Sequence, residues 1–447
     1  MSLYSDNLIK KSISDFIGTK AAHRRRYVQK LIDYYTGTNA EGYISEYFSS
    51  GSFQEIPRYH MNITRKFIDK MSRIYTAPPE RKLKNKTMSK QYADLSRYKD
   101  TRFKHIEKMT NLIGTIANYV YLEEKPDGLC IEHRPIYYFD VFFSDENPYK
   151  PVSIVYPKLN ATDSPNYMSI QEYDYIYWDD TVMVEYDSHG NIKNEVAHNL
   201  GVLPFVFTRD IEQIDDFFAE GASDIVDINE HLNIIFTEAC LGLRFQMFGQ
   251  PWASGVYDDE PLARMGSDTI INLPSDGKFG IESPQGDLTK VIEFIKFQIE
   301  MLAQSRHMYV NFDSNQDRPS SGLALKIKDF DRMEDYHDDI DRWRNYEHDF
   351  FYVEKILASN YGIDLGEDLI CDFKEPEYPR GVGEQIQKDE WMLDKGFITE
   401  EEILMREKGD ISLEEAKRIL KQNKKNLEQV EKPKEEEEEV DIQKGKK

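Results

Sequence analysis

The sequence predicts an α+β chain that is mainly α-helical, with long helices bracketing a small mixed sheet region. Two patterns carry this. Apolar residues recur at helical spacing over Ala222–Phe248, Leu288–Met308 and a stretch from Ser321 to about Tyr361. Between about Gly128 and Asp210 the pattern changes to short β-branched and aromatic runs, IEHRPIYYFDVFF, VSIVYP, YDYIYW and TVMVEYD, separated by Pro, Asp, Asn and Gly. A third observation bounds both: 447 residues with 40% hydrophobic and 13% aromatic content suffice for two to four compact regions and argue against global disorder.

Taken in order, the first 50 residues hold short amphipathic pieces and a basic cluster, His23-Arg24-Arg25-Arg26, which reads as a solvated helix face before a polar loop from Thr36 to Ser52. From Asn62, Ile63, Phe67, Ile68, Met71, Ile74 and Tyr75 fall at helical spacing, and Pro78-Pro79 stops that helix near Ala77. In the sheet region, His189-Gly190-Asn191 supplies a hairpin turn and Pro204 stands at the start or edge of the last strand. Ala222–Phe248 then spans about 40 Å at 1.5 Å per residue. A Gly-, Pro- and Asp-rich excursion over 249–287 leads into the helix Leu288–Met308. A polar insert, Tyr309 to Pro319, ends at Ser320-Ser321, which are suited to cap the next long helix. Gly362 terminates that helix, and Leu369–Phe373 reads as a strand. Helices are expected at Glu384–Lys395, Glu400–Lys408 and Leu413–Val430, and the tail from Glu431, with seven acidic and five basic residues and no apolar periodicity, is expected to be disordered.

The formal charge of -24 speaks against a protein that gains affinity by neutralising phosphates, yet suits a surface past which a duplex must slide. Cys130, Cys240 and Cys371 are far apart and form no C-x-x-C pair, so neither a disulfide framework nor a zinc cluster is indicated, and a reducing cytoplasm fits. No apolar run approaches the roughly 18 residues of a membrane span, and no membrane association is expected.

Motifs of chemistry are mostly missing. Gly277-Lys278 lacks the surroundings of a phosphate loop, and Gly381-Val382-Gly383 is a lone G-x-G. There is no H-E-x-x-H or G-x-S-x-G. Asp313, Asn315 and Asp317 imitate the opening of a calcium loop, but Arg318 and Ala324 stand where Gly and Glu are required. His337 and His348 lack a spaced partner and read as solvated or ion-paired. Asp329, Asp331, Glu334, Asp335, Asp338, Asp339 and Asp341 spread around one helix and read as a wet or partner-facing surface rather than a two-metal site. The expectation is a protein that is not an enzyme and holds no metal or cofactor.

The informative feature is order: a helix-and-sheet region, a long helix, a compact excursion, a returning helix, a polar loop, a very long helix and a helical tail. With it come Asn62-Ile63-Thr64-Arg65-Lys66-Phe67-Ile68-Asp69 and Tyr75-Thr76-Ala77-Pro78-Pro79, His198-Asn199-Leu200-Gly201-Val202-Leu203-Pro204, Ser321-Gly322-Leu323-Ala324-Leu325-Lys326 and Gly396-Phe397-Ile398-Thr399-Glu400-Glu401. This arrangement resembles the portal, or connector, family of tailed double-stranded DNA bacteriophages over nearly the whole chain. Thr399 departs from the family's usual Ser while keeping the N-cap. The resemblance implies a wing over 1–221, a stem helix over 222–248, a clip over 249–287, a returning stem over 288–308, a tunnel loop over 309–320, a further wing helix and strand over 321–379 and a crown over 380–430, before the tail 431–447.

It also implies a ring, usually of twelve copies, at one capsid vertex of the virion, assembled in the host bacterial cytoplasm. Double-stranded DNA would enter and leave through its channel without sequence specificity. The partners implied are the terminase large subunit, a head-completion adaptor, and the major capsid and scaffolding proteins. Asn311, Phe312, Asp313, Asn315, Gln316, Asp317 and Arg318 would form the tunnel loop, with Phe312 anchoring it to its helix. Trp252, Tyr257, Asp258, Asp259 and Glu260 would dock the packaging motor. Asn229, Asn233, Glu238, Glu293, Lys296 and Gln298 are candidates for the wet face of the stem, with the subunit interface as the alternative. Lys417, Arg418, Lys421, Lys424 and Lys425 are candidates for touching DNA from the crown. The competing readings are a capsid or scaffold component without a channel and a metal-dependent nuclease.

Overall fold

In the computed structural model, residues 6–18, 20–48, 59–147, 149–158, 173–211, 216–248, 250–254, 276–282, 286–308, 310, 312, 330–373, 382–409 and 411–425 are described. In chain order the elements are α1 (Asp6–Gly18), α2 (Lys20–Thr36), α3 (Ala40–Tyr47), α4 (Ile63–Met71), a 3-10 turn (Ile74–Thr76), β1 (Glu80–Leu83), α5 (Lys86–Leu95), α6 (Lys99–Ile113), β2 (Thr115–Lys125) and β3 (Gly128–Ile136). They continue with β4 (Asp140–Phe143), β5 (Pro151–Pro157), β6 (Tyr175–Trp178), β7 (Val182–Tyr186), β8 (Ile192–Ala197), β9 (Phe205–Arg209), α7 (Ser223–Phe248), β10 (Gln250–Ser254), β11 (Lys278–Glu282) and α8 (Leu288–Ser305). The last are α9 (Phe330–Asn360), β12 (Leu369–Asp372), α10 (Val382–Asp394), α11 (Glu400–Lys408) and α12 over 413–425. The chain is thus α+β, with small antiparallel sheets among long helices. It divides into one unit of Met1–Phe312 with Asp329–Pro376 and another of Asp313–Lys328 with Glu377–Lys447.

Local chemistry explains where elements begin and end. Asn62 caps α4 by accepting the Arg65 N–H at 2.9 Å. The helix stops earlier than the Pro-Pro signal implies, because the buried carboxylate of Glu107 on α6 takes the N–H groups of Ile74 and Tyr75 at 2.8 and 3.1 Å. Those donors are lost to an α-helical ladder and the chain tightens into the 3-10 turn. The expected loop from Thr36 to Ser52 is in part a helix: Asn39, in the left-handed region at φ 51, redirects the chain into α3, whose Ala40 and Ile44 are buried.

The basic cluster is not simply a solvated face either. Arg24 lies over the Phe218 ring, 3.6 Å from its centroid, and donates to the Phe139 carbonyl at 3.1 Å, while Arg25 is buried. A guanidinium is weakly hydrated and stacks on aromatic faces, so this burial is less costly than it would be for lysine.

The sheet region starts earlier than Gly128. β2 is the centre of a three-stranded sheet ordered β3-β2-β9, and β4 to β8 form a separate five-stranded meander. The β7–β8 hairpin turns where expected: Asp187 Oδ1 accepts the N–H groups of His189 and Asn191, and Gly190 takes φ +79. Pro204 stands just before β9. On one face of the meander Ile9 and Ile13 of α1 pack against Val155, Tyr175, Tyr177 and Val184; on the other, Ile154 and Tyr156 meet Phe205 and Phe217. The largest core joins α2, α4, α6, β2 and the inner face of α9, which contributes Tyr336, Ile340, Trp343, Phe350 and Leu357. β1 pairs antiparallel with β12, so the end of α9's excursion is tied to residues far earlier in the chain.

Candidate functional site

The part of the structure closest to the expected stem and clip is a helical hairpin carrying a β-ribbon. At one end of it Arg306, just after α8, pairs with Asp224 in the first turn of α7; at the other, Gln246 near the end of α7 donates to the Gly286 carbonyl just before α8, at 2.5 Å. The two helices therefore run antiparallel along their length. Between them β10 and β11 pair with Trp252 opposite Gly280. Gly280 leaves room for the indole to lie across the ribbon, since a Cβ there would be 2.6 Å from the Trp252 ring and would displace it. Trp252 is 45% exposed, and Phe279 and Ile281 are exposed with it. The other proposed docking residues, Tyr257, Asp258, Asp259 and Glu260, lie outside the described residues.

The expected wet face of the hairpin needs correction. Asn229 and Asn233 are fully buried. With Thr237 they form a ladder at i, i+4 and i+8 on α7 that holds the chain leading into α4. Asn229 Nδ2 donates to Thr64 Oγ1 at 3.0 Å, Asn233 Oδ1 accepts the Met61 N–H at 2.9 Å, and Thr237 Oγ1 accepts the Tyr59 N–H at 3.4 Å. These side chains take up the Tyr59 and Met61 backbone donors and so fix the segment entering α4 along α7. Glu238, Glu293 and Lys296 are exposed and Gln298 is half-buried. α8 buries Ile295, Leu302 and Ala303, yet exposes Phe294, Phe297 and Met301 on the opposite side.

Phe312 is partly exposed, and the Lys296 ammonium lies 5.9 Å from its ring centroid, so this ring sits beside α8. Asn311, Asp313, Asn315, Gln316, Asp317, Arg318 and the expected helix start at Ser320-Ser321 lie outside the described residues.

The acidic run on α9 divides into two environments. Asp335 accepts from His307 Nδ1 at 2.8 Å, Asp341 pairs with Arg344 at 2.5 Å, and Asp339 pairs with Arg342. Asp335, Asp338, Asp339 and Asp341 line a cavity of about 670 Å³ together with Arg306 and Arg342. Burial pushes the carboxyls of Asp339 and Asp210 beside it upward, the latter to about 6, against the opposing pull of Arg342.

Two turns further on, the same helix carries a network that the charge run concealed. Glu347 and Glu354 are fully buried. Arg81 binds Glu347 through Nε at 3.0 Å and Nη2 at 2.7 Å, and the Tyr75 hydroxyl donates to it at 2.9 Å. Lys99 Nζ lies 3.0 Å from Glu347 and 2.8 Å from Glu354. Tyr92 and His133 complete Glu354, at 2.6 and 2.7 Å. His133 Nε2 donates to that carboxylate, which leaves its buried Nδ1 unprotonated and, among the described residues, without a partner. Desolvation raises the pKa of Glu347 and Glu354, but the cations and donors around them win and hold both below the usual carboxylate range. Burial pulls the His133 imidazole down, so it is neutral at pH 7. The network's register locks α9 to β1, α5, α6 and β3.

Glu107 behaves in the opposite sense: burial, only partly offset by the two backbone donors, pushes its carboxyl up to about 7. A carboxyl whose folded pKa exceeds its unfolded value binds protons more tightly when folded, so its contribution to stability falls as pH rises from about 4.5 to 7. At 1.36 kcal/mol per pKa unit this amounts to on the order of 3 kcal/mol. Glu107→Gln keeps one acceptor oxygen in place of two, a cost that does not vary with pH, and it does not titrate. Urea unfolding is therefore expected to show the stability difference moving in favour of the variant by on the order of 3 kcal/mol between pH 4.5 and pH 8. A difference that stays constant with pH would show that this carboxyl does not titrate in that window.

Glu123, Cys130 and Glu132 bring potential ligand atoms within 4.8 Å of one another, but Lys125 pairs with both carboxylates and Arg102 pairs with Glu132 at 3.1 Å. Both carboxylates are thus already paired with cations of the chain. In the C-terminal unit Lys417, Arg418, Lys421, Lys424 and Lys425 are all exposed on α12, and Lys424 pairs with Glu400 at 2.6 Å. Among the described residues no helix is long and apolar enough to cross a membrane. No protein-family model matches this chain, and none of the curated proteins is significantly similar to it.

Sequence reasoning missed the buried ion network and the amide ladder. A helical period of seven places Glu347 and Glu354 on one face with Phe350 and Phe351 between them. That apolar flanking is the signal that separates them from the surface acids nearer the start of α9.

Proposed function

We propose that the chain is a portal subunit of a tailed bacteriophage. Copies, twelve by analogy with the family, close into a ring whose axial channel passes double-stranded DNA. The observation that carries the reading is the order of parts: a long helix, a β-ribbon excursion, a helix returning antiparallel to it, and a further long helix that packs back on the domain before the first. The second apolar face of α8, Phe294, Phe297 and Met301, supports an oligomer, because these side chains are exposed among the described residues and a neighbouring chain would bury them. The ribbon with Trp252, Phe279 and Ile281 is the surface offered to the terminase large subunit and then to the head-completion adaptor, since exposed aromatics anchor interfaces. Capsid and scaffolding proteins would meet the outer domain.

The chain's charge of -24 favours passage over retention of DNA, since an acidic wall makes few lasting phosphate contacts. In native mass spectrometry and negative-stain imaging at micromolar concentration, the purified protein is expected to be a closed ring with a central hole. A stable monomer under those conditions would overturn the reading.

A further inference from the structure

Among its described residues the C-terminal unit holds three well-specified helices that bury almost nothing. Thr399 and Glu402 form a reciprocal cap on α11, with bonds of 2.9 and 3.3 Å. α10 closes on Gly396, at φ +70, as the Phe397 N–H bonds back to Met392. Arg406 of α11 forks onto Asp389 of α10 at 3.1 and 2.5 Å. Yet among the described residues of this unit only Ala416 is buried. Ile386, Trp391, Phe397 and Leu413 are 51, 56, 66 and 49% exposed, with the Trp391 and Phe397 rings 5.6 Å apart. Helices of 13 and 9 residues are marginal in water without a packed face, and a unit this small holds little core alone.

We infer that this unit is completed by the same unit of a second copy, with the Trp391–Phe397 patch at the contact. Charge complementarity selects the occupant. Residues 382–408 carry eight acidic and four basic side chains, whereas 411–425 carry five basic and two acidic. Each copy thus offers an acidic pair of helices and a basic third helix, which can alternate head to tail around a ring. The Lys424–Glu400 pair shows that α12 bases and α11 acids are compatible neighbours. The inference rests on the homo-oligomer of the proposed function and narrows it to one contact.

The test uses the full chain, co-expressed in tagged and untagged forms, with Trp391→p-benzoylphenylalanine as a photo-crosslinker. Irradiation is expected to join tagged to untagged chains, with the crosslinked peptide falling within 382–425. Lys417→Glu with Lys421→Glu, both exposed on α12, is expected to cut that yield roughly tenfold. A closed ring whose crosslinks stay within one chain, or reach a different protein, overturns this inference and leaves the portal reading standing. Crosslinked dimers without a ring do the reverse. Uncrosslinked monomer overturns both, and an unchanged yield in the charge variant removes the head-to-tail arrangement.

Discussion

Replacing Lys99 with Met is expected to destabilise the fold by about 3 to 5 kcal/mol, the loss typical of removing one partner from a buried ion pair while the other remains. Lys99 is fully buried and its ammonium serves both carboxylates of the α9 network, at 3.0 Å to Glu347 and 2.8 Å to Glu354. Its position 4.8 Å from the Phe103 ring centroid adds a cation–π contact that Met cannot supply. Without it Glu347 keeps Arg81, but Glu354 is left with the neutral donors Tyr92 and His133 in a fully buried site. The second substitution Glu354→Gln, which removes the stranded charge, is expected to recover a large part of the loss, because a neutral amide costs far less to bury. Urea titrations of the wild type, Lys99→Met and the double variant provide the check; a double variant no more stable than the single one would show that packing, not charge, sets the penalty.

The pH dependence of that comparison has a definite sign. In the wild type Glu347 and Glu354 have lowered pKa values, so their stabilisation is present above the normal carboxylate range and is lost as pH falls through it. His133, also lowered, adds a loss as pH falls below about 6.5, because the unfolded imidazole then takes up a proton that the folded one refuses. Lys99→Met removes the largest influence holding Glu354 down, so its carboxyl moves up. The variant's penalty is therefore expected to be smaller at pH 5 than at pH 7.5.

This network also shows how far the sequence could be read. Features set by neighbours in the chain were legible: the cap Thr399, the turn around Gly190, the stop at Gly362, the extent of α7 and the change to strand character between β3 and β9. Features set by distant partners were not. Lys99 looks like any helical lysine, and its role depends on two glutamates more than 240 positions away, on a helix whose visible property was surplus acid. Asn229 and Asn233 looked like water-facing amides because nothing in α7 reveals that residues 59–64 lie along it. β2 escaped notice for a related reason: it follows α6 after a single residue, Gly114, with no run of turn formers to mark a change of period.

That glycine is the site of the second large effect: Gly114→Ala is expected to cost on the order of 4 kcal/mol, combining a disfavoured backbone region with overpacking against rigid atoms. Gly114 has φ +91, and a Cβ there would lie 2.4 Å from the Ala219 carbonyl oxygen and 2.5 Å from the Gly221 nitrogen. A Cβ on Gly221, at φ +62, would likewise lie 2.5 Å from the Leu112 oxygen and the Ile113 carbonyl carbon. The obstacles are backbone, so no rotamer change relieves them. The close approach is fastened by Ala222 N–H to the Leu112 carbonyl at 3.0 Å and by Ala219 N–H to Thr115 Oγ1 at 2.9 Å. It is where α6, β2 and the entry to α7 are joined, so pushing these segments apart would also free the first turn of the long helix. Gly128→Ala separates the two causes, since Gly128 has φ +104 but open space around its Cβ position. That control is expected to lose only about 1 to 2 kcal/mol, from backbone strain alone. If thermal or urea unfolding finds the two substitutions equally costly, the contact between the two glycine backbones contributes nothing, and the seating of α7 on the domain must come from its buried side chains instead.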